Sequence, residues 1–174
     1  LPRAYVSIGS NVEPERNVRS ALAALGRRYR ALAVSTVYET DAVGFEGPPF
    51  YNLAAAFDTD ETPRALIAAL RAIEDAHGRV RTGPRYASRS LDLDLVLYDD
   101  LVIREPGLEL PRPDLLRYAF VLGPLAEIAG TLRHPVAGKT LAQLWEEFGA
   151  AARTGLRPVP LRPEPETAPG PPRA

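Results

Sequence analysis

The sequence predicts an α+β fold in which an antiparallel sheet carries helices on one face. Short β-rich runs alternate with helical runs in the order βαββαβ, and turn or capping residues punctuate the boundaries. The 174 residues, 45 % of them apolar, fall within the usual size of one domain with one core.

Ala4 to Ile8 is β-rich and alternating, Gly9-Ser10-Asn11 breaks it, and Pro14 suits the first turn of a helix. That helix carries Val18, Leu22 and Leu25 at helical spacing and ends between Gly26 and Tyr29. Asn11 is read as its cap. Ala31 to Thr40 reads as a second strand. Asp41 to Pro49 holds two glycines and two prolines and reads as a loop.

Phe50 to Thr59 is the third strand. Thr62-Pro63 opens a second helix with Leu66, Ile67, Leu70 and Ile73 on one face, stopped by His77-Gly78. Arg79 to Ser90 is basic and lacks apolar periodicity, and Leu91 to Tyr98 is the fourth strand. The resulting order is that of ferredoxin-like folds. Short helical pieces follow at Asp114 to Tyr118, Val121 to Ile128 and Leu141 to Phe148. The domain is expected to span 1–156, leaving 157–174, where seven of eighteen residues are proline, as a flexible tail.

Charge and composition exclude several functions. Acidic and basic residues number 22 and 21, so there is no global positive field of the kind nucleic-acid binders use. The absence of cysteine excludes disulfides and thiolate chemistry. No apolar run approaches the ~18 residues of a membrane span, and a cytoplasmic protein is expected. His77 and His134 have no metal-ligand spacing, and His77 reads as a helix-end residue.

The chemistry concentrates around the fourth strand. Alternation puts Leu91, Leu93, Leu95 and Leu97 on one face and Asp92, Asp94, Val96 and Tyr98 on the other. An arbitrary run of this kind is most often a solvated stripe. Here the acid face continues apolar, as in a strand entering a core from a polar rim. Side chains two apart lie roughly 6–7 Å apart at Cβ, close enough to share a cation. Paired carboxylates suit Mg²⁺, which leaves its other positions to water and substrate phosphate. Just upstream, Arg79, Arg81, Arg85 and Arg89 crowd eleven residues of loop. Guanidinium groups match phosphate oxygens bidentately, so arginines and acids together read as a polyphosphate site. Neither a P-loop nor a kinase-type glycine-rich loop is present.

These residues resemble the 6-hydroxymethyl-7,8-dihydropterin pyrophosphokinases of folate biosynthesis. The resemblance rests on Gly9-Ser10-Asn11, Phe50-Tyr51-Asn52, the stretch Glu74 to Arg81 ending in G-R-V-R, Arg85-Tyr86 and the block from Arg89 to Asp94. Pro111-Arg112-Pro113, Phe120-Val121-Leu122 and Pro124-Leu125 extend it, so that it covers about residues 5 to 145. It implies transfer of the ATP diphosphate to the pterin hydroxymethyl group, with AMP released. Asp92 and Asp94 would hold two Mg²⁺ ions, and Arg79 and Arg89 would neutralise the transferring diphosphate. Arg81, Arg85 and Tyr86 would close over nucleotide and pterin, and Glu74 belongs to the implied ATP contacts.

Phe50 and Phe120 would sandwich the pterin, with Thr40, Asn52 and the backbone near Val43 along its polar edge, Gly9 lining the pocket and Tyr86 nearby. A flat heteroaromatic needs two π faces and a few buried polar partners, so the residue types agree. Arg112 stands where the family commonly has His, Tyr118 where it has Arg, and Tyr86 where it has Trp. Arg112 and Arg117 are expected to supply the phosphate contacts by charge. The implied partners are ATP and the pterin, with no nucleic acid or membrane, and the chain is expected to act as a monomer.

Two other classes share parts of this pattern. A ferredoxin-like RNA-binding module would show an RNP-type aromatic run, which the sequence lacks. A Mg²⁺-dependent nucleotidyl transferase also uses paired aspartates, and it would release pyrophosphate instead of AMP.

Overall fold

The computed structural model describes residues 1–78 and 90–161. In chain order the elements are β1 (Arg3–Ser10), α1 (Pro14–Arg28), β2 (Arg30–Val34), β3 (Val37–Thr40), β4 (Phe50–Asp58), α2 (Pro63–Ala76) and β5 (Asp92–Tyr98). A hairpin of β6 (Ile103–Glu105) and β7 (Leu108–Leu110) follows. The chain continues through α3 (Asp114–Arg117), α4 (Ala119–Ala129), α5 (Leu141–Glu147), α6 (Ala150–Thr154) and β8 (Arg157–Val159).

The six-stranded antiparallel sheet runs β5-β1-β4-β3-β8, with β2 also paired to β4. The βαββαβ order and its sheet are therefore as expected. The expected second strand is two strands laid end to end along β4. Ser35 marks the break, its hydroxyl accepting from the Ala54 N–H at 2.9 Å in place of a ladder carbonyl.

Each helix forms for a local reason. In α2 the Thr62 hydroxyl accepts from the Ala65 N–H, and Pro63 sits where no donor is needed. In α5 Thr140 and Gln143 cap each other's backbone N–H groups. Asn11 does not cap α1. Glu13 takes that position with φ 40, and the Asn11 amide instead donates to the Pro48 carbonyl at 3.2 Å.

Helices cover both faces of the sheet, where one face was expected. Leu25 of α1 and Leu70 of α2 pack with Val6, Ile8, Leu53, Phe57, Leu93 and Leu95 of the sheet. On the other face Leu122 of α4 and Leu144 of α5 pack with Tyr5, Ala54, Ala56, Val96 and Leu97 of the sheet. The alanines on β4 let α4 approach, and burying apolar surface at about 25 cal/mol/Å² makes each layer worth keeping.

The alternation of β5 holds only to Val96. Tyr5 pairs with Leu97 and Val6 with Leu95, so Val96 is an extra residue, a bulge that moves Leu97 into the α4 layer and Tyr98 into the other. Tyr98 was expected on the face of the acids. The apolar continuation of that face is Val96 and Leu97 instead.

Candidate active site

The site forms at one end of the sheet, on the α4 face. Asp92 pairs with Gly9 and Gly9 with Asn52, so three central strands place an acid, a glycine and a carboxamide in one row. In the next row Asp94 pairs with Ser7 and Ser7 with Ala54. Side chains directly opposite in an antiparallel ladder share a face.

Asn52, 6 % exposed, donates through Nδ2 to the Thr40 hydroxyl at 2.5 Å, which leaves its amide oxygen turned toward Gly9. A Cβ at position 9 would come within 3.0 Å of that oxygen and 3.8 Å of the Phe50 ring. Glycine is needed here for space. Phe50 begins β4 on this face, and Phe45 from the preceding loop meets it edge-on, centroids 6.3 Å apart and planes at 87°. Val43 is half-exposed in that loop. Phe120, in the first turn of α4, packs against the apolar layer that holds Ala54. Gly9, Thr40, Phe50, Asn52 and Phe120 thus share one side of the sheet.

The acids sit at the rim. Asp94 is 41 % exposed, and the Arg112 guanidinium lies 3.8 Å from it while its Nε donates to Asp114 at 3.1 Å. Partial burial disfavours the Arg112 charge, but Asp94, Asp114 and Glu74 outweigh that and raise its pKa. Arg112 is held in place by its own backbone, whose N–H donates to the Val96 carbonyl at 2.9 Å. The inserted residue of β5 thereby fixes a cation beside Asp94. Arg117 lies exposed on α3.

Glu74, at the end of α2, is 4 % exposed and accepts from the Leu93 N–H at 2.9 Å. Its carboxylate ties the helix to the strand midway between the two aspartates. Arg79, Arg81, Arg85, Tyr86 and Arg89 lie outside the described residues. His77 bridges α2 to α1: its Nδ1 lies 2.6 Å from the Ile73 carbonyl and Nε2 lies 2.7 Å from the Ser20 hydroxyl.

Among the described residues no three His, Asp or Glu gather into a self-sufficient metal cage. Two rim carboxylates on one face still fit Mg²⁺, which completes its shell with water and substrate phosphates. The nearby Arg112 shows that this rim already attracts positive charge.

Sequence reasoning missed three contributors. Phe45 was signalled only as an aromatic inside a Gly/Pro loop, and Asn11 was assigned to a helix cap. Tyr118 carried no signal for its stacking on Phe120, where the centroids lie 5.1 Å apart.

Comparison with known proteins bears on the same residues. Residues 5–130 match the family model described as 7,8-dihydro-6-hydroxymethylpterin-pyrophosphokinase. A 2-amino-4-hydroxy-6-hydroxymethyldihydropteridine pyrophosphokinase of Pseudomonas aeruginosa is 41 % identical over 148 residues, covering 83 % of this chain and 90 % of that protein. One from Synechocystis is 34 % identical, covering 96 % of this chain and 89 % of that protein. The fold is similar to that of the Plasmodium falciparum HPPK-DHPS crystal structure, with TM-score 0.64 at 13 % identity over 85 % of this chain. The chain spans under half, 44 %, of that longer protein.

Proposed function

The chain belongs to the 7,8-dihydro-6-hydroxymethylpterin-pyrophosphokinase family, and from that membership we propose how its residues divide the reaction. The reaction is transfer of diphosphate from ATP to 6-hydroxymethyl-7,8-dihydropterin, giving AMP and the pterin diphosphate, in folate biosynthesis. The enzyme is ATP-dependent and uses Mg²⁺ with its nucleotide.

The observation that carries the assignment of residues is the row Asp92, Gly9, Asn52, which sets a carboxylate two strands from a buried carboxamide. The pterin lies between Phe50 and Phe120, its polar edge against Asn52 and Thr40 and its ring over Gly9. The Asn52 oxygen accepts from the pterin edge, and Thr40 holds that oxygen in its orientation. The hydroxymethyl oxygen is then directed toward the aspartates.

Asp92 and Asp94 would hold the two Mg²⁺ ions that accompany ATP. That metal would supply charge neutralisation at the phosphates and a lowered pKa at the attacking hydroxyl. The hydroxyl oxygen attacks the β-phosphorus in line and gives its proton to solvent, while the bond from that phosphorus to the oxygen it shares with the α-phosphate breaks and AMP leaves with that oxygen. Phosphoryl transfer gives the protein little covalent work, so the residues act by positioning and charge. Glu74 keeps β5 registered to α2 while the acids are loaded. Arg112 and Arg117 grip the phosphates with Arg79, Arg81, Arg85 and Arg89 from the neighbouring segment, where Tyr86 offers the nucleotide and pterin an aromatic face. The chain works on these small molecules as a monomer in the cytoplasm; among the described residues no helix is long and apolar enough to cross a membrane.

The test is incubation with ATP, Mg²⁺ and hydroxymethyl-dihydropterin. AMP appearing in step with the pterin diphosphate supports the reading. Pyrophosphate in place of AMP would mean nucleotidyl transfer and would overturn it.

A further inference from the structure

The C-terminal segment touches both walls of the cleft assigned to the pterin. On one side β8 pairs antiparallel with β3, Val37 opposite Val159 and Glu39 opposite Arg157. The Arg157 guanidinium reaches Glu39 at 3.3 Å and Asp41 at 3.0 Å. These two carboxylates flank Thr40, the partner of Asn52, where β3 gives way to the loop bearing Val43 and Phe45. On the other side Leu156, immediately before Arg157, lies against α4. A Cβ at Gly123 would come within 2.7 Å of the Leu156 side chain and 2.8 Å of the Trp145 ring, so the segment passes as close to the helix as glycine allows. Gly123 lies one turn beyond Phe120.

α4 and β3 are linked directly as well, through Glu127, which accepts from the Tyr38 hydroxyl at 2.6 Å and the Thr36 N–H at 2.5 Å. That link joins α4 to the start of β3, and the loop end of β3 is held on one side by its pairing with β4. Arg157 holds its other side, outside the residues 5–130 that match the family model.

We propose that Leu156–Val159 is a strap joining the two aromatic walls, with Arg157 a positioning residue that holds Thr40 and the following loop in place for the pterin. The role rests on the pterin cleft assigned above. Arg157 does not touch substrate. It acts through Asp41 and Glu39, and exposed ion pairs of this kind carry effects of up to about fivefold.

The experiment compares Arg157→Ala and Arg157→Lys with the unaltered full-length chain, measuring KM for each substrate by AMP release and amide exchange across 41–49. Arg157→Ala is expected to raise the pterin KM about threefold to fivefold and leave the ATP KM within about twofold. Exchange in 41–49 should quicken. Arg157→Lys, which keeps the charge, should recover most of both effects, and Asp41→Asn with Arg157→Ala should be no worse than Arg157→Ala alone. An unchanged pterin KM in Arg157→Ala, or equal rises for pterin and ATP, would overturn the strap. Absence of AMP from the unaltered chain would remove the reaction assignment instead, and unchanged exchange in Arg157→Ala would then still remove the clamp.

Discussion

The ring of Tyr118 stacks on that of Phe120, centroids 5.1 Å apart and planes inclined by 20°. Tyr118 is the residue before α4, so the stack fixes the aromatic wall at the point where the helix begins. Offset-stacked rings gain about 0.5–1.5 kcal/mol beyond their area. Tyr118→Ala should therefore raise the pterin KM by roughly threefold to tenfold through loss of this support. Tyr118→Phe, which keeps the ring, should behave as the unaltered chain. Steady-state KM for both variants checks this, and equal damage from Ala and Phe would show that the hydroxyl matters instead.

Asp92→Ala and Asp94→Ala should each lower kcat by at least about a thousandfold while the chain stays folded, because charge stabilisation at the phosphates depends on what these carboxylates hold. Both lie at the rim, and Arg112 keeps Asp114 as a partner when Asp94 is gone. Circular dichroism and AMP release separate loss of fold from loss of function. Near-normal turnover in both variants would rule out the metal assignment.

Arg112 is placed by a backbone bond to Val96 and balanced between Asp94 and Asp114. Arg112→Ala should weaken ATP binding about tenfold, the size of one charge-assisted hydrogen bond. Arg117→Ala, on the exposed side of α3, should cost less, roughly twofold to threefold. Calorimetric titration with Mg²⁺-ATP measures both. Unaltered affinity in the two variants would show that neither residue contacts the nucleotide.

Gly9→Ala should damage the pterin site more than the fold. The added methyl meets the Asn52 amide oxygen at 3.0 Å, so the carboxamide must shift by a few tenths of an ångström away from its bond to Thr40. The expected result is a pterin KM raised about tenfold with melting temperature lowered by only a few degrees. A KM change without any change in the ATP KM would locate the damage at Asn52.

His134 links stability to pH. It is 3 % exposed, and its Nδ1 accepts from the Val136 and Ala137 N–H groups at 3.1 and 2.9 Å. Burial lowers its pKa below the ordinary 6.5, so the folded chain binds this proton less readily than the unfolded one. The stabilisation is complete above pH 6.5 and is lost as pH falls through the lowered value. Melting temperature should hold above pH 7 and decline below about 6.5, and His134→Asn, which keeps an acceptor, should flatten that part of the decline.

Much of this architecture was legible because local signals and packing agree. The run from Leu91 to Val96 alternates with the sheet, Thr62-Pro63 caps and starts α2, and the glycines and prolines of 41–49 mark the loop that carries Phe45. The hairpin β6–β7 had its signal in Pro106-Gly107, with Gly107 at φ 77, but its strands are too short for periodicity to register. The prolines from 157 onward read as a flexible tail, yet 157–159 form β8 at the sheet edge, where the missing donor of Pro158 is tolerated. No local pattern reveals that Val96 is inserted, because its bulge exists only relative to β1. The site was legible as residue types, Asp92 and Asp94 above all. Its geometry was not, since the contacts of Gly9 with Asn52 and of Tyr118 with Phe120 depend on how distant segments meet.

The bulge at Val96 also divides β5 into two stretches that natural variation can treat separately. Upstream of it, register against β1 sets where the acids face, and a single-residue insertion or deletion there would turn Asp92 and Asp94 into the wrong layer. Downstream, Leu97 and Tyr98 pair with Tyr5 and Ala4 in a register of their own. Removing Val96 would leave Leu95 opposite Val6 and Leu97 opposite Tyr5, so the acids and the downstream residues would keep their layers, but it would take away the carbonyl that holds Arg112. In a lineage of such enzymes, chain-length changes should therefore be rare before this residue, and a change at it should travel with a change at position 112.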